Sequence, residues 1–165
     1  GTIGVESELG KGTRFHFSIP VVQCDVQCEP APADMGALKG GVSWTLLVGE
    51  DSDISFKLIE AMLSAHFRLV RARSGAEAAE LFRSERPDAV LVDTRLPVMD
   101  GFEVTRRIRE SAPDLPVVVM SAYPTDPEAE SAVAAGCTGF LPKPFTQAEL
   151  HKMLNTCLVN LESRE

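Results

Sequence analysis

Five side chains of this 165-residue chain are of the types that phosphoryl chemistry uses, and each follows a short apolar run. Glu50 and Asp51 come after residues 44–48, Asp93 after 89–92, Ser121 after 116–120 and Lys143 after 138–141. Carboxylates a few ångströms apart raise one another's pKa unless a counter-charge intervenes. A hard divalent cation resolves that conflict, and Mg²⁺, which takes octahedral oxygens and keeps waters, suits one or two carboxylates plus a phosphoryl group. Lys143 would add a mobile point charge for a phosphoryl oxygen and Ser121 a hydroxyl donor. Taken singly, each has a plainer role: Glu50 and Asp51 as helix caps, Asp93 and Ser121 as turn residues, Lys143 as a solvated charge. Their joint occurrence after four apolar runs points instead to one site for phosphoryl transfer onto a carboxylate.

The elements that must position these residues are legible in the same stretch. A fifth apolar run covers residues 67–72, and helical patterns separate the runs. Ile54, Leu58 and Met62 fall four apart on one stripe, Ala78, Leu81 and Phe82 mark a second helix, and Leu150, Met153, Leu154, Leu158 and Leu161 face inward on the last. Ser74 with Glu77 and Thr146 with Glu149 have capping-box spacing. Asp126-Pro127 marks another helix start, and Gly136 its end. Five strands alternating with five helices predict an α/β fold, a doubly wound parallel sheet covered on both faces, whose ligands bind beyond the carboxyl ends of the strands. All four chemistry-bearing strand ends then meet at one edge.

Before Trp44 the pattern is different. Ile3 and Val5, then Phe15, Phe17 and Ile19, alternate with polar residues on either side of Gly10-Lys11-Gly12, which predicts an antiparallel hairpin over residues 1–20. Residues 21–43, with Cys-Glu-Pro-Ala-Pro-Ala-Asp and Lys-Gly-Gly, have no sustained period and read as a linker. The chain begins at Gly1, inside a patterned segment, and is expected to be a piece of a longer polypeptide.

Composition narrows the function classes. With 44% hydrophobic residues a core is assured, and a net charge of −8 argues against clamping nucleic acid or an anionic membrane through bulk charge. No apolar run of about 18 residues and no leader-like segment occur, so a cytoplasmic location is expected, any anchor of the parent lying upstream. Cys24, Cys28, Cys137 and Cys157 are scattered and read as reduced thiols rather than a disulfide framework. Residues 1–43 hold five acids and three bases, which leaves a net of −6 from Trp44 onward, half of it matched by Glu50, Asp51 and Asp93.

Residues 44–161 resemble the receiver domain of two-component response regulators. The resemblance rests on Val-Gly-Glu-Asp, Leu-Val-Asp-Thr-Arg-Leu-Pro-Val-Met-Asp-Gly-Phe-Glu, Ser-Ala-Tyr and Lys-Pro-Phe, and leaves 162–165 as a tail. It implies a flavodoxin-like strand order, 2-1-3-4-5, with Asp93 as phosphoacceptor. It further implies Mg²⁺ held by Asp51, Asp93 and the backbone carbonyl of Arg95, with Glu50 acting through metal-bound water. Ser121 and Lys143 would contact the phosphoryl group, the Lys143–Pro144 peptide would be cis, and Phe140 would be the aromatic that swings inward on switching. A phosphohistidine donor is implied, and an output partner at the face of the fourth helix, fifth strand and fifth helix. Arg95 and Tyr123 occupy positions that in this family tune water access to the acyl phosphate, and as large side chains they are expected to slow its hydrolysis.

The first twenty residues resemble the closing hairpin of a histidine kinase ATP-binding domain, with Gly10 and Gly12 in its last glycine box. Hairpin, linker and receiver in that order imply a hybrid sensor histidine kinase. The fragment itself has no counterpart of the kinase histidine or the other nucleotide boxes, so the only catalysis expected of it is phosphorylation and dephosphorylation of its own aspartate. No DNA-binding module follows the last helix, so the expected output is a protein contact. The alternatives are a stand-alone response regulator, a receiver-shaped module that works without phosphorylation, and a phosphohydrolase of the haloacid dehalogenase type. The last would require an Asp where Arg95 stands.

Overall fold

The computed structural model describes residues 2–8, 10–18, 44–122 and 125–162, with backbone alone at 126 and 159–162. The chain divides into two compact units, residues 1–30 and 31–165. The expected linker, 21–43, with Cys24 and Cys28, lies outside the described residues, as do Ile19 and Tyr123; the Leu161 side chain is likewise outside them.

In the first unit β1 (Thr2–Glu8) pairs antiparallel with β2 (Gly12–Ser18), from Thr2 opposite Ser18 to Glu8 opposite Gly12. The turn runs through Gly10 at φ +83° and Gly12 at φ +102°, backbone that glycine adopts without the strain an L side chain would bring. Ile3 lies opposite Phe17 and Val5 opposite Phe15, and all four side chains are exposed.

The second unit is the expected alternation: β3 (Trp44–Gly49), α1 (Asp53–Leu63), β4 (Phe67–Ala72), α2 (Gly75–Glu85), β5 (Ala89–Asp93), α3 (Gly101–Ser111), β6 (Val117–Ser121), α4 (Asp126–Ala135), β7 (Gly139–Pro142) and α5 (Gln147–Glu162). The five strands are parallel in the order β4-β3-β5-β6-β7, the 2-1-3-4-5 order of the expected doubly wound fold. Helices cover both faces, so the central strands are apolar on both sides. Leu46, Val48, Leu91, Val118 and Met120 point into one core with Ile59, Leu63, Leu150, Leu154 and Leu158. Leu47, Val90, Val92, Val117 and Val119 point into the other with Ala78, Val104 and Ile108.

Helix ends follow local chemistry. Thr146 and Glu149 form the expected reciprocal box, Glu149 N–H donating to Thr146 Oγ1 at 3.3 Å and Thr146 N–H to Glu149 Oε2 at 2.7 Å. Ser74 caps α2 and Thr125 caps α4, which ends on Gly136 at φ +82°. On α1 the expected inward stripe needs correction. Ile54 is 83% and Leu58 54% exposed, and the helix buries Ile59 and Leu63 instead. Apolar residues lie on several sides of this helix, and period alone does not choose among them. The start of α5 is tied to the end of α1, where His151 Nε2 and Gln147 Nε2 both contact the Met62 carbonyl, at 2.9 and 3.2 Å.

Candidate active site

The carboxyl ends of β3, β5 and β7 converge on the Lys143 ammonium. Its Nζ donates to Glu50 Oε2 at 2.7 Å and to Asp93 Oδ2, joining residues far apart in sequence. Burial of the ammonium opposes its charge, but hydrogen bonds to Asp93 and Glu50, together with their charges, outweigh that and hold Lys143 above the ordinary lysine value. Glu50 is 2% exposed, and its Oε1 accepts the Ser52 N–H at 3.1 Å. Asp93 Oδ1 accepts the Arg95 N–H at 2.7 Å. The Lys143–Pro144 peptide is cis, as the resemblance implied.

Backbone contacts fix these groups from below. The Lys143 N–H donates to the Ser121 carbonyl at 2.7 Å, and the Thr94 N–H to the Met120 carbonyl at 2.9 Å, so neighbouring strand ends are stitched together. Gly101 opens α3 directly against the end of β5, where an added Cβ would lie 2.4 Å from the Asp93 carbonyl oxygen. The helix thus approaches Asp93 more closely than any side chain would permit. The cap of α1 is Ser52, whose Oγ accepts the Ser55 N–H at 3.3 Å. That removes the plain capping role from Glu50 and Asp51.

Two residues here carry no obvious sequence signal. Arg71 on β4 clamps the acidic loop, donating from Nε to the Glu50 carbonyl at 3.1 Å, from a terminal nitrogen to the Asp51 carbonyl at 3.0 Å, and to Asp53 Oδ1 at 2.6 Å. Its guanidinium also lies 4.6 Å from the Phe56 ring centroid. Arg71, with Arg73, holds the Asp53 carboxyl below its ordinary range. The only hint in the sequence is an arginine inside the apolar run 67–72. The second is Glu128 on α4, whose Oε2 accepts the Ser121 hydroxyl. Ser121 is fully buried at the end of β6, and Phe140 is half-buried against the core on the α2 and α3 side.

The structure therefore joins Glu50, Asp93 and Lys143 directly, places Ser121 on the adjoining strand end, and leaves Asp51 exposed. Among the described residues no three His, Cys, Asp or Glu side chains close into a ready-made cage. The donors at these strand ends are hard carboxylate oxygens, and a site with one or two carboxylates and retained waters is what Mg²⁺ uses, so the residues fit that ion. A cleft of about 590 Å³ lined by Arg83, Arg86, Arg107 and Phe82 lies at the opposite end of the sheet and takes no part in this site. Gly10 and Gly12 belong to the other unit.

Comparisons with known proteins identify the family. Sensor kinase CckA of Brucella abortus is 31% identical over 159 residues, covering 91% of this chain and 17% of the kinase. Response regulator MprA of Mycolicibacterium vanbaalenii is 36% identical over 105 residues, 64% of this chain and 46% of that protein. The chain thus spans less than half the length of these curated relatives. Among solved structures, the receiver domain of sensor histidine kinase PA1611 from Pseudomonas aeruginosa PAO1, with a magnesium ion coordinated in its active site cleft, matches with a TM-score of 0.67 and 32% identity, over 72% of this chain and 99% of that one. A family model, the response regulator receiver domain, matches residues 46–155. That match takes in most of the chain and every strand end on which the site is built, and the chain belongs to the receiver domains of two-component phosphorelays.

Proposed function

We propose that this chain is the receiver of a hybrid sensor histidine kinase and takes a phosphoryl group from phosphohistidine onto Asp93. The observation that carries the reading is the convergence of Glu50 and Asp93 on the Lys143 ammonium at three strand ends. An oxygen of the Asp93 carboxylate attacks phosphorus, the P–N bond breaks, and its electron pair stays on the imidazole nitrogen, giving an acyl phosphate and a free histidine. Lys143 exchanges its carboxylate contact for a phosphoryl oxygen and balances charge there. Asp51, Asp93 and the Arg95 carbonyl would hold Mg²⁺, with Glu50 acting through its waters; the ion supplies charge neutralisation for the transferred group.

On α1, next to the acidic loop, exposed Ile54 and Leu58 lie one turn apart and offer an apolar patch on which the donor can dock. On α4 the exposed Val133 belongs to the proposed output face of α4, β7 and α5. The hybrid origin is supported by the alignment with the sensor kinase, which at 91% of the chain necessarily extends beyond the receiver match at 46–155. The left-handed Gly10 and Gly12 suit a last glycine box as well as a hairpin turn.

The test is phosphorylation by a small phosphodonor and Mg²⁺, and by a phosphohistidine protein. Wild type should acquire base-labile phosphate and Asp93→Asn none; uptake of base-labile phosphate by the variant would overturn the assignment.

A further inference from the structure

We infer that Glu128 is a positioning residue that withholds the Ser121 hydroxyl from the phosphorylation site until Asp93 carries its phosphoryl group; this rests on the receiver reading above. The backbone of Ser121 is fixed, since its carbonyl accepts the Lys143 N–H at 2.7 Å, and the residue is fully buried. On that fixed backbone the hydroxyl is donated to Glu128 Oε2. A serine hydroxyl has a single proton, so while Glu128 accepts it no phosphoryl oxygen can. The bond to a carboxylate is charge-assisted, which makes it a real competitor.

Helix capping does not explain where Glu128 points. Among the described residues it is the third glutamate that stands three residues after a capping hydroxyl, with its own N–H on Thr125 Oγ1 at 3.4 Å. The other two fold back over their helix starts, Glu149 accepting the Thr146 N–H and Glu77 the Arg73 N–H, each at 2.7 Å. Glu128 instead spends its carboxylate on the strand end next to Asp93. The residue also ties α4 to the site: when a phosphoryl group takes the hydroxyl, the first turn of α4 loses an anchor. A contact made in only one of two states biases the equilibrium by its own free energy.

The test is the affinity of the whole chain for beryllofluoride with Mg²⁺, measured for wild type, Glu128→Ala and Glu128→Gln, each also in a Ser121→Ala background. Glu128→Ala should bind about tenfold tighter, equivalent to ~1.4 kcal/mol. Glu128→Gln, which keeps the shape and loses the charge, should fall between, and the gain should vanish when Ser121 is Ala. Unchanged or weaker binding by both Glu128 variants, or the same gain without the serine hydroxyl, overturns the inference. If wild type binds no beryllofluoride, the receiver reading fails and takes this one with it, an outcome distinct from normal binding that ignores Glu128.

Discussion

Replacing Lys143 with Met would leave Glu50, at 2% exposure, a buried charge without its cation. Removing one partner of a buried pair costs ~3 kcal/mol. At pH 7 in EDTA, the Lys143→Met protein should therefore unfold in urea with a loss of that order. The folded-state pKa of this lysine is raised, so its contribution is fully present below the unfolded value and is lost as pH rises through the folded one. The gap between wild type and variant should accordingly be widest near neutrality and close above about pH 10.4, the unfolded reference; a gap that stays constant through the alkaline range would contradict the pairing. That Glu50, Asp93 and Lys143 meet was legible in the sequence, because their joint position at strand ends of one parallel sheet puts them at a common edge. Arg71 and Glu128 were not, because their roles depend on which neighbour the fold brings near: Arg71 reads as a surface residue of a strand, and Glu128 as one more cap.

At the level of elements, the strands and most helix boundaries were readable from apolar runs and caps, whereas the burial of α1 was not. Ile54, Phe56, Leu58, Ile59, Met62 and Leu63 surround much of that helix, and the face that is buried is the one carrying Ile59 and Leu63, which join one core with residues of β3, β4 and α5. Thermal or urea unfolding should separate the two sets. Leu63→Ala should cost about 2–5 kcal/mol and Ile54→Ala within about 0.5 kcal/mol; equal losses would mean the helix is rotated from the orientation described. Ile54 and Leu58 stay exposed beside the acidic loop, on the face that the core does not use.

Across the whole chain, the alternation of strand and helix predicted the sheet and its buried central strands, because a parallel sheet needs apolar residues on both faces and the runs at 89–92 and 116–120 are unbroken. The hairpin was legible too, from its period-two pattern and glycines, but its apolar side chains remain exposed. A lone two-stranded hairpin is marginal in water. In hydrogen exchange, amides of β1 and β2 should therefore exchange close to the rate of an unstructured peptide while those of β5 and β6 stay protected. Protection in β1 equal to that in β5 would show that another surface covers it.

The same hairpin is expected to set how the polypeptide behaves in a concentrated solution. The large sheet defends both of its borders: β4 carries Arg68 and Arg71, and β7 has only four residues and ends on Pro142. In β1 and β2 every strand is a border, each seven residues long, and Ile3, Val5, Phe15 and Phe17 line one side. Unpaired strand edges are templates for foreign strands, so any self-association of this polypeptide is expected to begin in the hairpin rather than in the unit that carries Asp93.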